Sequence, residues 1–438
     1  MIHIRPWQSR MVAIVLALAA ISIASAQSVS SDAPARSVIV RVGRLLDVRS
    51  GTYLTNAAIS IVGDRIRAVG PADDVVKATP AGAQVIDLGG ATVLPGLIDC
   101  HTHLMARISD ERYGYELNLL MKSQAYRALE GAANARATLE AGFTSVRDVE
   151  NEGSDYADVA LRDAIREGLV EGPRMQVATR GIAALGQYHP FRISPDLAAF
   201  PTGAQMVSGV EEARRAVREQ LGHGADLIKI YADWREPTLT IPEMEVVVQE
   251  AHRAKRKVAA HATTPQGIRN AVQAGVDSIE HGHGADRAAL ELMKAKGVYL
   301  VPTLSVVDAS VAKTPQQWTS PRARSFLESM HQAVTIAKEL GVKIAGGSDP
   351  AAVDRHGRNA EELEAMTRRG LTALEAIRAA TTSAADLMGW ADDVGSIQAG
   401  KFEDLIAVEG DPIGNIVALQ RVKFVMKGGR VIKNDFVP

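Results

Sequence analysis

Two histidines separated by a single residue give the strongest chemical signal in this sequence. His101 and His103 end an apolar run, in the segment Asp99-Cys100-His101-Thr102-His103. Alternate side chains of a β-strand point to the same face, so both imidazoles would share one face with Asp99. Neutral imidazole is a common ligand of zinc and similar divalent ions, and catalytic sites often use two per ion. The pair predicts a metal site, although two histidines can also share a strand by chance.

Three further residues of ligand type follow short apolar runs later in the chain, and they are His261, His281 and Asp349. A single buried histidine is more often hydrogen-bonded within a core, and a single aspartate at a strand end is often a helix cap. Five such residues at the ends of four predicted strands are better explained by one metal centre. We expect Glu280, next to His281, to point to the opposite strand face and to be structural.

Lys229 lies inside the apolar run Leu227–Tyr231, where burial would make a charged ammonium group costly. Beside two cations, a neutral lysine amine can take up carbon dioxide and become a carbamate whose two oxygens bridge the ions. The alternative is a lysine that extends to solvent or pairs with a carboxylate. The sequence therefore predicts a carboxylated lysine ligand and leaves this alternative open.

Three residues near the same predicted strand ends are candidates for contact with a substrate. Tyr231 lies two positions after Lys229, on the same strand face, so its hydroxyl could donate to a carbonyl or carboxylate group. Packing in the core is its alternative role. His189 and Arg180 follow the third predicted strand and either bind polar groups of the substrate or belong to an ordinary loop.

The elements that would position these residues are β-branched runs that alternate with helix-period segments. Sequences typical of capping boxes at Thr240–Glu243 and Thr372–Glu375 predict two of the helix starts. The alternation predicts an α/β fold, a (β/α)8 TIM barrel, in which catalytic groups lie at the C-terminal ends of the strands. The eight predicted strands are Val93–His103, Thr144–Glu150, Arg174–Thr179, Asp226–Ala232, Lys257–Ala262, Ser278–Gly282, Tyr299–Leu304 and Lys343–Asp349.

Short alternating runs at both ends of the chain predict β structure outside the barrel. A turn is expected at Gly63-Asp64, between two of these runs. Neither end alone has enough strands for a closed core, so we expect both ends to form one composite β-sandwich. The predicted domains are a first sandwich part at 27–93, the barrel at 94–394 and a second sandwich part at 395–438.

The first residues have the features of a signal peptide for export. Arg5 and Arg10 precede the apolar run Met11–Ile23, and Ala24-Ser25-Ala26 offers small residues for cleavage. We therefore predict a signal peptide at 1–26 and a periplasmic or secreted protein, with an uncleaved anchor as the alternative.

The charge balance of the chain limits the class of partner. Its 49 basic and 51 acidic residues nearly cancel, and they form no long run of like charge. Nucleic acid and anionic membranes are therefore poor candidates for partners. A small neutral or zwitterionic substrate fits better. Cys100 is the single cysteine, so no intramolecular disulfide can form.

The ligand pattern resembles the amidohydrolase superfamily, which has H-x-H on strand one, lysine on strand four, histidine on strands five and six, and aspartate on strand eight. The segments Val93–Asp99 and Gly395–Leu405 resemble the family's passages between barrel and sandwich. Within the superfamily, the chain is most similar to metal-dependent carboxypeptidases known as Xaa-Pro dipeptidases or imidazolonepropionase-like proteins. That group includes ochratoxin-hydrolysing amidases.

The resemblance implies a binuclear centre. In it, His101, His103 and Asp349 hold one divalent ion, zinc or a close neighbour. His261 and His281 hold the second ion, and carboxylated Lys229 bridges the two. A bridging hydroxide would be the nucleophile, and Asp349 would move the proton.

The resemblance also implies the reaction and the assembly. We expect hydrolysis of the amide bond to a C-terminal amino acid in a dipeptide, an N-acyl amino acid or an ochratoxin-type amide, by a homo-oligomer. One alternative is a mononuclear hydrolase of cyclic amides, or a deaminase, whose single ion is held by His101, His103, His261 and Asp349. Another is a non-catalytic binding protein on the same barrel.

Overall fold

The computed structural model describes residues 37–108, 114–188, 201–234, 236–353 and 355–436. The signal peptide predicted at 1–26 lies outside these residues. Within the described ranges, no helix is long and apolar enough to cross a membrane.

The described residues form seventeen β-strands, most of them short. They are β1 Ser37–Asp47, β2 Thr52–Val62, β3 Arg65–Pro71, β4 Gln84–Asp87, β5 Thr92–Pro95, β6 Leu97–Thr102, β7 Phe143–Asp148, β8 Arg174–Val177, β9 Gly181–Ala184, β10 Ala204–Val207, β11 Leu227–Tyr231, β12 Lys257–Ala262, β13 Ser278–His281, β14 Tyr299–Val301, β15 Leu405–Val408, β16 Phe424–Lys427 and β17 Arg430–Asn434.

Thirteen α-helices of the described residues alternate with these strands over most of the chain. They are α1 Ala72–Ala78, α2 Gly114–Met121, α3 Gln124–Glu140, α4 Ala157–Arg166, α5 Val210–Gly222, α6 Ile241–Arg253, α7 Pro265–Ala274, α8 Arg287–Lys296, α9 Leu304–Lys313, α10 Pro321–Leu340, α11 Glu361–Arg368, α12 Ala373–Ala379 and α13 Thr382–Met388. Short 3-10 helices span Pro315–Trp318, Pro350–Val353 and Ile416–Gln420.

Strands from both ends of the chain share one mainly antiparallel sheet. Its order is β17-β16-β15-β5-β1-β2-β3, and β4 lies parallel to β1. The two ends meet where β15 runs antiparallel to β5, with Leu405 opposite Pro95. The turn predicted between β2 and β3 is confirmed, and Gly63 adopts a left-handed φ of 65° there. We call this sheet the composite sheet.

All the remaining strands are parallel, in two sheets ordered β6-β7-β8 and β10-β9-β11-β12-β13-β14. Their β-branched residues pack against the surrounding helices, as Ile228, Val258 and Ile279 do in the largest apolar cluster. Because neighbouring parallel strands run in the same direction, their C-terminal ends lie at one edge. The histidines that the sequence predicts as metal ligands lie at this edge.

Backbone hydrogen bonds also connect the two parallel sheets. The N–H of Asp226 donates to Val177 O at 2.8 Å, next to β8. On the other side, the N–H of Leu300 donates to Lys343 O at 2.8 Å, and that of Cys100 donates to Gly346 O at 2.8 Å. The segment that begins at Lys343 therefore lies between β14 and β6.

Two predicted strands differ from the observed ones in more than their end residues. The first, Val93–His103, is divided at Gly96 into β5 of the composite sheet and β6 of a parallel sheet. The last, Lys343–Asp349, forms a single bridge at Ile344 instead of a continuous strand. A Cβ atom on Gly347 would lie 2.7 Å from the His101 Cβ atom, so glycine is what allows this segment to approach β6 so closely.

Both predicted capping boxes are confirmed, at the N-termini of α6 and α12. Helix α9 is capped differently, because the residue before it, Thr303, has a left-handed φ of 47° and its side chain makes no capping bond. Instead, Glu362 of α11 accepts hydrogen bonds from the N–H groups of Leu304 at 2.9 Å and Ser305 at 2.6 Å. A buried carboxyl group from a distant helix therefore satisfies the free N–H groups of this helix end.

This cap predicts a pH-dependent stability. Burial raises the pKa of Glu362 from its usual 4.5 to about 7, although the two N–H donors oppose the rise. The folded state therefore binds the proton of Glu362 more tightly than the unfolded state does. The stability that this protonated side chain contributes is lost as pH rises from about 4.5 to about 7. Relative to Glu362→Gln, the wild type should lose up to about 3 kcal/mol of unfolding free energy over that interval. Urea denaturation at several pH values tests this, and parallel curves for the two proteins would contradict it.

Candidate metal centre

The H-x-H pair lies at the C-terminal end of β6, and both rings are buried. The Nε2 atoms of His101 and His103 are 3.2 Å apart. The Nδ1 atom of His101 is 2.8 Å from Glu280 Oε2, and that of His103 is 3.1 Å from Glu152 Oε1 and 3.2 Å from Glu150 O. Carboxylate and carbonyl oxygens accept hydrogen bonds, so each ring uses Nδ1 as its donor and directs the lone pair of Nε2 towards the other ring.

Glu280 corrects one expectation from strand periodicity. We expected it to point away from the site, but its carboxylate is buried and contacts His101. Strand alternation fails here because His281, at the end of β13, has a left-handed φ of 69°. This backbone conformation allows neighbouring side chains to approach the same centre.

His261, His281 and Asp349 come together with the H-x-H pair. The ligand atoms of His101, His281 and Asp349 all lie within 4.8 Å of one another. The Nδ1 atom of His281 is 2.7 Å from Thr303 Oγ1, and the ring centroids of His281 and His261 are 4.5 Å apart. Five ligand-type residues predicted from the sequence thus lie in one cluster, in which the four histidines are buried and Asp349 is partly exposed.

The His261 ring provides a test of whether this cluster fits a metal ion. Its Nε2 atom is buried and has no hydrogen-bond partner among the described residues. An unpaired buried polar atom costs free energy, and buried ring nitrogens are therefore normally hydrogen-bonded or coordinated to a cation. The imidazole and carboxylate groups around it are donors of the kind that zinc and its neighbours accept. The cluster fits a divalent ion.

Asp349 is held in place through its backbone and its neighbour. It has a left-handed φ of 51°, and its N–H donates to His101 O at 2.9 Å. Its Oδ1 atom is 3.7 Å from His103 Nε2. Asp99 accepts hydrogen bonds from the N–H of Ser348 at 3.1 Å and from Asn359 Nδ2 at 2.7 Å. Asp99 therefore anchors the segment that carries Asp349, a role that the sequence did not indicate.

Lys229 is 1% exposed in the middle of β11, so it does not extend to solvent. Its Nζ atom lies 5.4 Å from the centroid of the Tyr231 ring, and no carboxylate of the described residues is within ion-pair distance of it. Burial lowers the pKa of Lys229, while the charges of Glu280 and Glu150 oppose this shift. A buried amine without an ion-pair partner is more easily held neutral than one at the surface.

A group of aromatic and acidic side chains lies beside Lys229 and His261. The hydroxyl of Tyr231 donates to Glu150, and that of Tyr188 donates to Glu150 Oε1 at 2.9 Å. Burial, together with the charge of Glu152, raises the pKa of Glu150 to about 7. Trp234 stacks on Tyr231 with ring centroids 5.1 Å apart. Tyr231 thus lies in the site as expected, but its hydroxyl hydrogen-bonds to Glu150.

The other two candidate substrate contacts have different outcomes. His189 lies outside the described residues. Arg180 is partly buried, and its guanidinium group donates to Ala204 O at 3.1 Å. No hydrogen bond or ion pair within the described residues joins Arg180 to the candidate ligands. Sequence reasoning missed Glu150 and Glu152, and their place directly after β7 was the available signal.

Comparisons with known proteins identify relatives of this chain. A model of the amidohydrolase family matches residues 92–432. An ochratoxinase from Aspergillus niger is 31% identical, covering 92% of this chain and 88% of its own length. An imidazolonepropionase from Rubrobacter xylanophilus is 26% identical, covering 81% of this chain and 84% of its own length.

Solved structures give the same result. The crystal structure of an Xaa-Pro dipeptidase with bound methionine matches with a TM-score of 0.81 at 33% identity, covering 90% of this chain and 99% of that chain. The crystal structure of A. niger ochratoxinase matches with a TM-score of 0.79 at 30% identity, covering 92% and 96%.

Proposed function

Because this chain belongs to the amidohydrolase family, we propose that it hydrolyses the amide bond between an acyl group and a C-terminal amino acid. The substrate would be a dipeptide, an N-acyl amino acid or an ochratoxin-type amide. One observation carries the proposal, namely the buried cluster of His101, His103, His281 and Asp349 beside the unpaired Nε2 atom of His261. Similarity to a dipeptidase and to an ochratoxinase supports the choice of a linear amide.

The proposed metal centre uses the six residues predicted from the sequence. His101, His103 and Asp349 would hold one divalent ion, and His261 and His281 the other. Lys229, carboxylated, would bridge the two ions, of which zinc is the first candidate. When bound, two such ions lower the pKa of a shared water molecule and polarise the scissile carbonyl group.

Asp349 is the proposed catalytic proton carrier. Its Oδ1 atom lies within the ligand cluster, 3.7 Å from His103 Nε2, and a carboxylate at this position can both accept and release a proton. Its carboxylate would take the proton of the attacking water and then deliver it to the nitrogen of the leaving amine. Without that proton, the amine is a poor leaving group.

The fold proposed around this site is a closed (β/α)8 barrel. The hydrogen bonds from Asp226 to Val177, from Leu300 to Lys343 and from Cys100 to Gly346 support closure of the two parallel sheets into one ring. In such barrels the active site lies at the C-terminal ends of the strands, and the proposed histidine ligands lie at the ends of β6, β12 and β13. Three further expectations stay predictions. They are the composite sandwich with parts at 27–93 and 395–438, export of the protein, and its assembly into homo-oligomers.

A substrate panel tests the proposed activity. Xaa-Pro, Xaa-Arg and Xaa-Phe dipeptides and a set of N-acyl amino acids would be incubated with the purified, zinc-supplemented protein, and the released amine measured. We expect turnover of at least one linear class, and none by the same protein after removal of metal with a chelator.

Two results would contradict the proposal. Turnover of a cyclic amide alone would favour the alternative related to imidazolonepropionase. Absence of both bound metal and hydrolysis after zinc supplementation would favour a non-catalytic binding protein. Measurement of the metal content of the same preparation separates these two results.

A further inference from the structure

We propose that Glu280, held by Arg147, is a positioning residue that fixes the tautomer and the ring orientation of His101. This inference rests on the proposed function, since it concerns how a ligand of the proposed metal centre is prepared. Neither Glu280 nor Arg147 belongs to the predicted ligand set.

Both oxygens of the Glu280 carboxylate are used. Its Oε2 atom is 2.8 Å from His101 Nδ1, and its Oε1 atom accepts from Arg147 Nη2 at 2.7 Å and from Ser278 Oγ at 2.5 Å. The side chain has 0% exposure, so water does not compete for these bonds. The carboxylate therefore has one orientation in which all three donors are satisfied.

Arg147 fixes that orientation by connecting three strands. It belongs to β7 and is 2% exposed. Its Nε atom donates to Cys100 O of β6 at 2.7 Å, and its Nη1 atom donates to Ser278 Oγ of β13 at 3.0 Å. A buried guanidinium needs an opposite charge, and Glu280 supplies it. The pair thus places a rigid acceptor beside the imidazole of His101.

The consequence for His101 follows from the chemistry of the acceptor. A carboxylate paired with a guanidinium only accepts hydrogen bonds, so the proton of neutral His101 must lie on Nδ1. The lone pair of Nε2 then points towards His103 Nε2, 3.2 Å away. Without Glu280, the proton could move to Nε2 and occupy the position that a metal ion requires.

The variant Glu280→Gln tests this arrangement with almost no change in size. An amide has one acceptor oxygen, so its NH2 group would face either His101 or the Arg147 and Ser278 donors. We expect divalent metal to bind roughly 10 to 100 times more weakly than in the wild type, measured with zinc by chelator competition. The matched control is Glu403→Gln, a buried glutamate beside the composite sheet that accepts from the N–H of Gly429 at 2.6 Å.

A second measurement reports the tautomer directly. In the metal-free full chain labelled with 15N-histidine, NMR should show the His101 proton on Nδ1, with the signal assigned through a His101→Gln variant. In Glu280→Gln, the Nε2-protonated form should become populated, which a merely structural role of Glu280 would not cause. Melting temperatures of the metal-free variants show whether the fold is retained.

The possible outcomes separate this inference from the proposed function. Equal zinc affinity of Glu280→Gln and Glu403→Gln, or an Nε2-protonated His101 in the wild type, would overturn the role of Glu280. If the folded wild type binds no zinc, the proposed function fails, while the tautomer still decides the role of Glu280. If Glu280→Gln does not fold, the tautomer in the wild type decides it alone.

Discussion

Replacing Lys229 by alanine should reduce the tightly bound divalent ions from two to one per chain and lower kcat/KM by roughly 10²- to 10³-fold. The reason is the position of this side chain. It is 1% exposed and lies in a strand between candidate ligands, and no carboxylate of the described residues is within ion-pair distance of it. A bridging anion at this position would allow two cations to bind close together. Metal analysis of dialysed protein and steady-state kinetics measure the two effects.

A rescue experiment distinguishes a lost bridging anion from a damaged core. Lys229→Ala leaves a space into which a short carboxylic acid such as acetate or propionate fits, and these acids should restore part of the activity. Lys229→Met fills the same space with an apolar side chain of similar length, so the acids should not rescue it. One ion in the wild type and an unaffected Lys229→Ala variant would contradict the bridge and favour the mononuclear alternative.

The sequence predicted the candidate ligands that the fold brings together because each of them belongs to a local pattern. An apolar run of strand length that ends in a histidine or aspartate is visible within a few residues, as for His261 and His281. The barrel rule then brings such ends together without any knowledge of individual contacts. Lys229 could be predicted for a related reason, since burial of a charged lysine inside an apolar run costs free energy.

The residues that hold the candidate ligands in place could not be predicted from the sequence, because their hydrogen-bond partners are far away in the chain. Glu280 contacts His101 across 179 positions, and Asp99 contacts Ser348 across 249 positions. Periodicity describes only which face of its own strand a residue occupies. It gave the wrong face for Glu280, because the next residue, His281, has a left-handed backbone conformation. These buried hydrogen bonds depend on how strands pack together, so they appear only once the fold is known.

The division of the first predicted strand has a similar cause. Apolar residues continue through Gly96 without a change of pattern, yet β5 pairs with β15 in the composite sheet while β6 pairs with β7. A Cβ atom on Gly96 would lie 2.1 Å from the Thr144 side chain, so the chain passes close to β7 at this glycine. Hydropathy does not reveal which sheet a strand joins.

Replacing Asp349 by asparagine should lower kcat by roughly 10²- to 10⁴-fold, the range that a lost general acid and base accounts for. Asparagine keeps the size of the side chain and also tolerates the left-handed φ of 51° observed at this position. The N–H of residue 349 can still donate to His101 O, so we expect the fold to be retained. The melting temperature should therefore change little, and kcat is compared at zinc concentrations that fill the site in both proteins, because the variant lacks one charged ligand.

The leaving group provides the sharper test of Asp349. An amine must be protonated to leave, whereas the alcohol of an otherwise identical ester leaves more easily. If Asp349 delivers the proton, Asp349→Asn should reduce amide hydrolysis much more than ester hydrolysis in a matched pair of substrates. Equal losses for the two substrates would contradict proton delivery and leave Asp349 only the role of a metal ligand. Because the paired substrates differ only at the scissile bond, the ratio of the two losses is independent of how much active enzyme each preparation contains.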